Sequence, residues 1–537
     1  MKSSITPLAT PDASPAPPAH RRFASRPIAS ASAQVHSPRP AGLGLGSKTA
    51  TALLISVLFF ARQIAHFADP NTRAMTPPPP YFRAAILLDV AILTAVGVGV
   101  AVLLQRLGTP RWRRTFGHLF VLAFGSEVLS VAPVIASGPA LSMGAWLAFA
   151  AAVAFALATG RDGLFRVTRS VALTFSPAAP LILVPMAFWD TPRPTAVVPI
   201  PPPAARAGLP PVVVLLFDEW GYSRSVTPTG DWLPSLPNIR KLSAGAFHFR
   251  EARSASLFTD ESVPQIAFET SDRLVVRRGE FHFSGLSDVP VTSATPNLFG
   301  KARAAGYETR VVGWHVPYHT LFAGQLDEVH LAPNWPGLPG FEGSMAFALA
   351  ANLRYSYNPV IRALQRPVYL REFAMRVHDV DGHAGRALAT CAPGTFTFVH
   401  SPAPHFPMIF RPDGSHNALS IGSDGPAYLD QLAYADALLG RMLDRLRASG
   451  HYDDALIVVT SDHGWREDPD PSFTRDPRRV HRVPLVVKWP GQTGGHVVDA
   501  PLVNNRIGRL IDLARRAGTE TDAASLIERL SDRHPNP

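Results

Sequence analysis

Two stretches of this sequence each place acidic residues directly after a short aliphatic run. The apolar run 212–217 leads into Asp218 and Glu219, and a β-branched run far downstream leads into Asp462 and His463. Ligands of open α/β sheets collect where the strands end at their carboxyl edge. A carboxylate beside an imidazole suits Zn or Mn. The four residues therefore predict one metal site that is assembled from distant segments.

Both strand ends also have an ordinary structural interpretation. Asp218 and Glu219 could cap the N-terminus of a following helix, and Asp462 and His463 could be an ordinary polar turn. Capping explains one acid more easily than two. The presence of two similar strand ends favours a shared site over two unrelated turns.

Thr259 is a candidate nucleophile. It stands just before an amphipathic segment, so its hydroxyl would meet the positive end of a helix dipole. Near a metal that hydroxyl could lose its proton and attack an ester. The alternative is a plain N-cap with Ser262 in a capping pattern, and the residue pattern alone favours the cap.

The charge distribution argues against a nucleic-acid partner. The chain has 537 residues and a net charge of +10, but residues 1–210 carry +12 and residues 211–537 carry −2. The basic excess lies among apolar segments, where it indicates membrane topology rather than nucleic-acid binding. Cys391 is the only cysteine, so no intrachain disulfide can form.

The composition divides the chain into four regions. Residues 1–45 are rich in Pro, Ala and Ser and predict a disordered cytoplasmic tail. Residues 46–189 contain five apolar segments, each close to the roughly 20 residues that cross a bilayer: 46–66, 82–105, 115–136, 139–159 and 168–189. Residues 190–210 are a Pro-rich, extended linker. Residues 211–537 form the candidate catalytic domain.

The loops between the five segments predict an orientation. Arginines cluster before the first segment, between the second and third, and between the fourth and fifth. The positive-inside rule then places the N-terminus in the cytoplasm, and five spans place residues 211–537 outside. The expected location is a cell membrane, with the outer domain on its external side.

Two acids fall inside the predicted spans. Asp89 and Glu127 lie in the second and third segments, where an ionisable group is costly and therefore a candidate for function. Pairing within the bundle and a position near the interface both remain open.

Alternating strands and helices in 211–537 predict a mainly parallel sheet covered on both faces. The clearest helix is 426–449, with leucines at helical spacing. Residues 330–390 read as irregular, with a helix near 360–377 that Pro367 should interrupt or kink. A last helix is expected at about 505–531.

Several blocks of the outer domain resemble the alkaline phosphatase/sulfatase superfamily, in its membrane-anchored branch. They occur in the same order as in that superfamily: the strand ending at Glu219 with LPNIRKLSAGAFHF, then TDESVP, GYET, TSDHG and VPLVVKWPG. TDESVP resembles the nucleophile segment of phosphoethanolamine transferases. The layout of five spans and an outer domain is similar to those transferases and to lipoteichoic acid synthases.

The resemblance implies roles for particular residues. Thr259 would be the covalent nucleophile, and His405 and His481 would contact the substrate group. Ile266 stands where formylglycine sulfatases carry Arg, which favours unmodified threonine chemistry. The implied metal ligands are Asp218, Glu219, Thr259, Asp462 and His463.

The expected activity is metal-dependent hydrolysis or transfer of phosphate or sulfate esters, on a membrane lipid or an envelope glycan. A histidine ligand favours Zn or Mn over Ca, which prefers oxygen ligands. The alternative from another class is an inactive membrane scaffold that keeps the fold without turnover.

Overall fold

The computed structural model describes residues 44–75, 78, 81–107, 109–135, 143–159, 163–188, 208–285, 289–333, 349, 359–416, 425–467 and 481–514. The predicted tail, apart from residues 44 and 45, lies outside this part of the chain. So do most of the predicted linker and the predicted last helix beyond residue 514.

The N-terminal region is a helical bundle arranged around its first helix. The apolar side chains of that helix, including Val57 and Phe60, pack against the third, fourth and seventh helices. The helices are α1 (Leu45–His66), α2 (Pro70–Met75), α3 (Phe82–Leu107), α4 (Pro110–Ile135), α5 (Met143–Ala158), α6 (Gly163–Phe175) and α7 (Ala179–Leu183).

Two described stretches are long and apolar enough to cross a membrane. They are 82–106 and 163–188, while 45–61 and 115–128 are shorter apolar stretches. The five predicted spans are therefore not confirmed and stay a prediction. Asp89 and Glu127 are both buried in the bundle.

The outer domain is built on an eight-stranded sheet with the order β11-β2-β10-β9-β1-β8-β6-β7. Two small sheets pair β3 with β12 and β4 with β5. The strands are β1 (Val212–Asp218), β2 (Phe247–Phe249), β3 (Ala252–Arg253), β4 (Leu274–Arg277), β5 (Glu280–Phe283), β6 (Glu308–Gly313), β7 (Glu328–Leu331), β8 (Thr395–Pro404), β9 (Leu456–Ser461), β10 (Leu485–Lys488), β11 (His496–Val498) and β12 (Leu502–Val503).

The large sheet is mainly parallel, as predicted. Only β10 runs antiparallel to its neighbours β9 and β2. The central strand β1 lies between β8 and β9, parallel to both. Its residues 212–217 are at most 1% exposed, and burying each large apolar side chain contributes about 1.5–3 kcal/mol.

Helices cover both faces of this sheet because successive side chains of β1 point to opposite faces. Val213 and Leu215 pack with the helices of one face, and Val214 and Leu216 with those of the other. The first face carries α8 (Pro237–Ser243), α12 (Pro359–Ala389) and α13 (Gly425–Ala448); the second carries α9 (Thr259–Phe268), α10 (Leu298–Ala304), α11 (Tyr318–Leu321) and α14 (Ile507–Ala514).

The helix predicted at 426–449 is confirmed as α13, and the helix predicted near 360–377 is confirmed as part of α12. The prediction of irregular structure is wrong for 378–389, because α12 extends to Ala389. Helix α12 runs without a break through Pro367. Pro367 is exposed, and the residues after it, such as Leu370 and Phe373, are buried in the core. Their burial outweighs the backbone hydrogen bond that proline removes.

The short helix α2 joins the bundle to the outer domain. The Asn71 side-chain oxygen accepts a hydrogen bond from the Val276 amide of β4 at 2.6 Å. Ala74 and Met75 are buried in the same apolar cluster as Val276. The turn between α1 and α3 therefore lies on the same side of the bundle as the outer domain.

Helix α8 receives its N-terminal cap from another helix. Its own N-cap residue, Leu236, offers no side-chain acceptor. Instead the buried Asp436 of α13 accepts hydrogen bonds from the amides of Asn238 and Ile239 at 2.9 and 2.8 Å. This pairing explains the Pro-Asn block and the need for Gly440, where an added Cβ would lie 2.6 Å from the Asn238 side chain.

We expect Asp436→Ala to lower the free energy of unfolding of the outer domain by about 2–4 kcal/mol, because it leaves two buried amides without an acceptor. Denaturant unfolding of the full chain in detergent measures the change. The exposed Asp430 of the same helix provides the control, and Asp430→Ala should change stability by less than about 0.5 kcal/mol. Equal effects of the two variants would contradict this role.

Candidate active site

The carboxyl ends of β1, β8 and β9 meet at one edge of the sheet. Phe217 of β1 lies opposite Ser461 of β9, so Asp218 and Asp462 follow at the same level. The Asp462 amide donates to the Phe217 carbonyl at 3.1 Å. Both carboxylates are fully buried.

Asp462 ties the two strand ends together. Its Oδ1 accepts hydrogen bonds from the Glu219 amide at 3.0 Å and the His463 amide at 2.7 Å. Its Oδ2 is buried and has no hydrogen-bond partner among the described residues. One oxygen thus holds the backbone, and the other is available to a ligand.

Glu219 has a backbone φ of +68°, which is uncommon for a residue with a Cβ and typical of functional sites. The Tyr428 hydroxyl of α13 stabilises this turn, since it accepts from the Gly221 amide and donates to the Glu219 carbonyl, both at 2.8 Å. Glu219 is therefore not a helix cap. Its carboxylate accepts from the amides of Phe406 and Arg466.

Thr259 lies in the same cluster. Its Oγ1 is 3.3 Å from Asp218 Oδ2 and 3.3 Å from His463 Nε2. The N-cap alternative is wrong, because Phe258 occupies the N-cap position and no side chain caps α9. Ser262 is likewise engaged elsewhere, since its hydroxyl donates to the Asp462 carbonyl at 2.6 Å.

The hydrogen bonds of His463 fix its tautomer. Nδ1 lies 2.9 Å from the Gly464 carbonyl, which can only accept, so Nδ1 carries the proton. Nε2 then presents its lone pair to Asp218 and Asp462, each 3.6 Å away. An Arg466 Nη2 donates to that same nitrogen at 3.0 Å. With Nδ1 protonated, Nε2 is the nitrogen of His463 that can bind a metal, and a metal there would replace its contact with Arg466.

His400 completes the cluster from β8. Its Nδ1 lies 3.1 Å from the Tyr318 hydroxyl, and its Nε2 lies 3.8 Å from Asp218 Oδ2 without a hydrogen-bond partner among the described residues. One ligand atom each from His400, Asp218 and Asp462 lies within 4.8 Å of the others.

The electrostatics of this cluster fit a bound cation. Burial, and then the nearby Asp462, raise the pKa of Asp218 well above its usual value. Burial, and then Arg466, lower the pKa of His463 to about 3, and burial lowers that of His400 to about 3. A neutral imidazole can bind a metal through its unprotonated nitrogen. A divalent cation would also offset the repulsion between the two neighbouring carboxylates.

The cluster opens into a cavity of about 240 Å³. His405 lines the cavity, and its Nε2 lies 3.9 Å from Oε2 of Glu219. Burial alone would raise the pKa of Glu219, but His405 and Arg466 hold it below its usual value. The lining residues are Asp218, Phe258, Thr259, Asp260, Trp314, His315, Tyr369, Phe373, Arg376, His405, Phe406 and Arg466.

His481 lies behind the cluster, not among the residues that line the cavity. It is buried, and its Nδ1 accepts from the Gly464 amide at 3.1 Å. An added Cβ on Gly464 would lie 2.7 Å from the Cβ of His481. In this structure His481 positions the Asp-His-Gly turn, and its predicted contact with substrate stays a prediction.

Comparison with known proteins agrees with this fold. The family model described as Sulfatase matches residues 210–516, which is more than half of the chain. The chain belongs to the sulfatase family. The predicted resemblance to the alkaline phosphatase/sulfatase superfamily is thereby confirmed.

A relative described as a sulfatase of Formosa agariphila is 33% identical over 78 residues, which are 14% of this chain and 15% of that protein. A phosphonate monoester hydrolase of Agrobacterium radiobacter has a similar structure, with 18% identity over 57% of this chain and 73% of its own, and a TM-score of 0.37. A protein in the alkaline phosphatase superfamily from Vibrio parahaemolyticus is 16% identical over 58% of this chain and 68% of its own, with a TM-score of 0.37.

Within this sulfatase-family domain the structure brings Asp218, Thr259, Asp462 and His463 close together, and their roles as metal ligands and nucleophile stay a prediction. Sequence reasoning missed His400 as part of the cluster. His400 lies within β8, opposite Leu216 of β1 and directly after the buried residues 395–399. A single histidine in a strand is common, so residue type alone does not identify His400 as part of a site.

We expect Tyr428→Phe to weaken metal binding by about 10–100-fold, the usual cost of removing a group that positions a ligand. The variant loses both hydrogen bonds that hold the Glu219 turn. A competition assay with a chromophoric chelator measures the affinity.

Tyr452, at the opposite end of β9 where its ring meets Lys488, supplies the matched control Tyr452→Phe. Wild-type metal affinity in Tyr428→Phe would show that this hydroxyl does not position the site.

Proposed function

We propose that this protein is a metal-dependent hydrolase or transferase of sulfate or phosphate esters, with Thr259 as its nucleophile. The observation that carries the proposal is the position of the Thr259 hydroxyl. It is buried within 3.3 Å of both a carboxylate and an imidazole nitrogen and lines the cavity. Family membership and the names of the relatives support the reaction class.

The side chains account for the proton and bond changes of such a reaction. Thr259 Oγ forms a bond to phosphorus or sulfur as the ester oxygen departs, and its proton passes to Asp218 Oδ2, which lies 3.3 Å away. Burial lowers the pKa of His315 to about 4 and holds the pKa of His405 below its usual value, so both imidazoles of the cavity are neutral near pH 7. The leaving alkoxide therefore takes its proton from water that enters the cavity. Water or a second alcohol then attacks the enzyme ester and restores Thr259.

A divalent metal, held by Asp218, Asp462 and His463 with Glu219 and His400 beside them, would lower the pKa of the hydroxyl and offset negative charge on the transferred group. Arg466 and Arg376 bring further positive charge to the cavity. They are suited to the oxygens of a phosphate or sulfate group. The donor set favours Zn or Mn.

We expect Thr259→Val to reduce turnover of nitrophenyl phosphate, sulfate and phosphonate esters by at least about 10³-fold, as loss of a nucleophile does. Thr259→Ser keeps the hydroxyl and should retain measurable activity. Thr229→Val, at an exposed threonine, controls for loss of a hydroxyl elsewhere.

Full activity of Thr259→Val would overturn the proposed nucleophile. A metal-replete, folded wild-type protein that cleaves none of these esters would favour the scaffold alternative instead.

We further propose that the protein is anchored in the bacterial inner membrane with its catalytic domain outside, acting on a lipid or an envelope glycan. Helix α3 supports this, since residues such as Leu88, Ile92 and Val96 form an exposed apolar stripe of the kind that faces lipid. The contact between α2 and β4 also supports this orientation. If the N-terminus is cytoplasmic, α1 crosses the membrane outwards, so the α1–α3 turn lies on the external side together with the outer domain.

Cysteine labelling in intact cells tests this orientation. In a Cys391→Ser background, a membrane-impermeant maleimide should label Ser415→Cys, on the exposed surface of the outer domain. It should not label Thr109→Cys, in the basic α3–α4 turn, until the cells are permeabilised. The reverse pattern would overturn the orientation, and labelling of both sites in intact cells would contradict a membrane barrier between them.

A further inference from the structure

A second group of metal-binding side chains lies outside the active-site cavity, where strand β7 meets helix α12. His330 comes from β7, at the edge of the large sheet, and Asp379 and His383 come from α12. The three side chains are 29%, 35% and 31% exposed. None of them lines the cavity or contributes to the chemistry proposed above.

The three side chains converge on one point. His330 Nε2 lies 2.7 Å from Asp379 Oδ2, and His383 Nδ1 lies 3.4 Å from Asp379 Oδ1 and 3.0 Å from the Asp379 carbonyl. Because a carbonyl can only accept, His383 Nδ1 carries a proton in this structure, and metal binding would require the other tautomer or a turn of the ring that presents Nε2. One ligand atom from each residue lies within 4.8 Å of the other two. Asp379 and His383 are four residues apart on a helix, a spacing that places both on the same face.

The two imidazole rings lie unusually close together. Their centroids are 3.1 Å apart and their planes differ by 11°, whereas aromatic pairs usually keep their centroids about 4.5–7 Å apart. A carboxylate needs only one imidazole to form an ion pair, and at a half-exposed site such a pair contributes little. The second imidazole beside the same carboxylate adds a third donor, which an ion pair does not require and a metal site does.

We propose that His330, Asp379 and His383 form a second divalent-metal site, specific for Zn-like ions. Two imidazoles and one carboxylate are a donor set that Zn binds tetrahedrally, with the fourth position open to water. A metal bound at this site would link β7, the edge strand of the sheet, to α12.

A metal that links β7 to α12 would also affect the active-site cavity. One helical turn before Asp379, the Arg376 Nε donates to the Pro333 carbonyl just after β7, at 3.0 Å. Arg376 and Phe373 of the same helix line the cavity. Metal bound at the second site therefore stabilises the junction of β7 with α12, from which these two side chains extend. This role is independent of whether Thr259 is a nucleophile.

Zinc titration of the full chain in detergent, stripped of metal beforehand, tests the proposal. An Asp462→Asn background weakens the active-site cluster, so that the second site is measured by itself. In that background we expect one tight equivalent of zinc and a rise in the thermal unfolding midpoint with added zinc. Adding His383→Ala should weaken this binding by more than the 10–100-fold that loss of a supporting group costs, and should abolish the thermal shift.

His378→Ala on the same helix is the matched control, because His378 packs against Phe410 and is not part of the cluster. It should leave zinc binding unchanged. His330→Ala removes a ligand from strand β7 instead of helix α12, and it should weaken zinc binding as much as His383→Ala does. Agreement between the two variants would show that the loss of zinc binding does not come from a local change in the helix.

Equal zinc affinity in the His383→Ala, His330→Ala and control proteins would overturn the proposal and leave an ordinary ion pair. Because the readouts are zinc stoichiometry and thermal stability, loss of ester hydrolysis in any variant has no bearing on the result. Absence of activity with an intact second zinc site would instead count against the proposed function alone.

Discussion

The burial of two carboxylates at the ends of adjacent strands is the constraint on which the rest of the domain depends. Asp218 and Asp462 are fully buried beside each other, and such a pair is stable only with hydrogen bonds and a compensating cation. The protein supplies the hydrogen bonds through the amides of Glu219 and His463 and the hydroxyl of Thr259. The positive φ of Glu219 and the Tyr428 hydroxyl that stabilises it follow from the same demand.

Much of this arrangement could be predicted from the sequence, for a physical reason. Strands buried on both faces are continuous aliphatic runs, so β1 and β9 and the acids that follow them are visible directly. Thr259 was harder to assign, because residue type does not distinguish an N-cap from a nucleophile. That choice depended on a contact across the fold, the 3.3 Å approach to Asp218.

Other features depend on packing that no local pattern encodes. Pro367 predicted a break or a kink in α12, and the burial of the residues after it keeps the helix unbroken. His400, His330 and His383 each look like isolated histidines in the chain and acquire meaning only from their neighbours in space. The five membrane spans stay a prediction, since length and composition identify two.

Anomalous X-ray diffraction from metal-loaded crystals, recorded on both sides of the Zn and Mn absorption edges, is the most direct test of the central claim. The account predicts a peak enclosed by Asp218, Asp462 and His463, within about 2.0–2.2 Å of their ligand atoms for zinc. Ordered density for these side chains without any metal peak among them would contradict a metal-dependent site at this edge of the sheet.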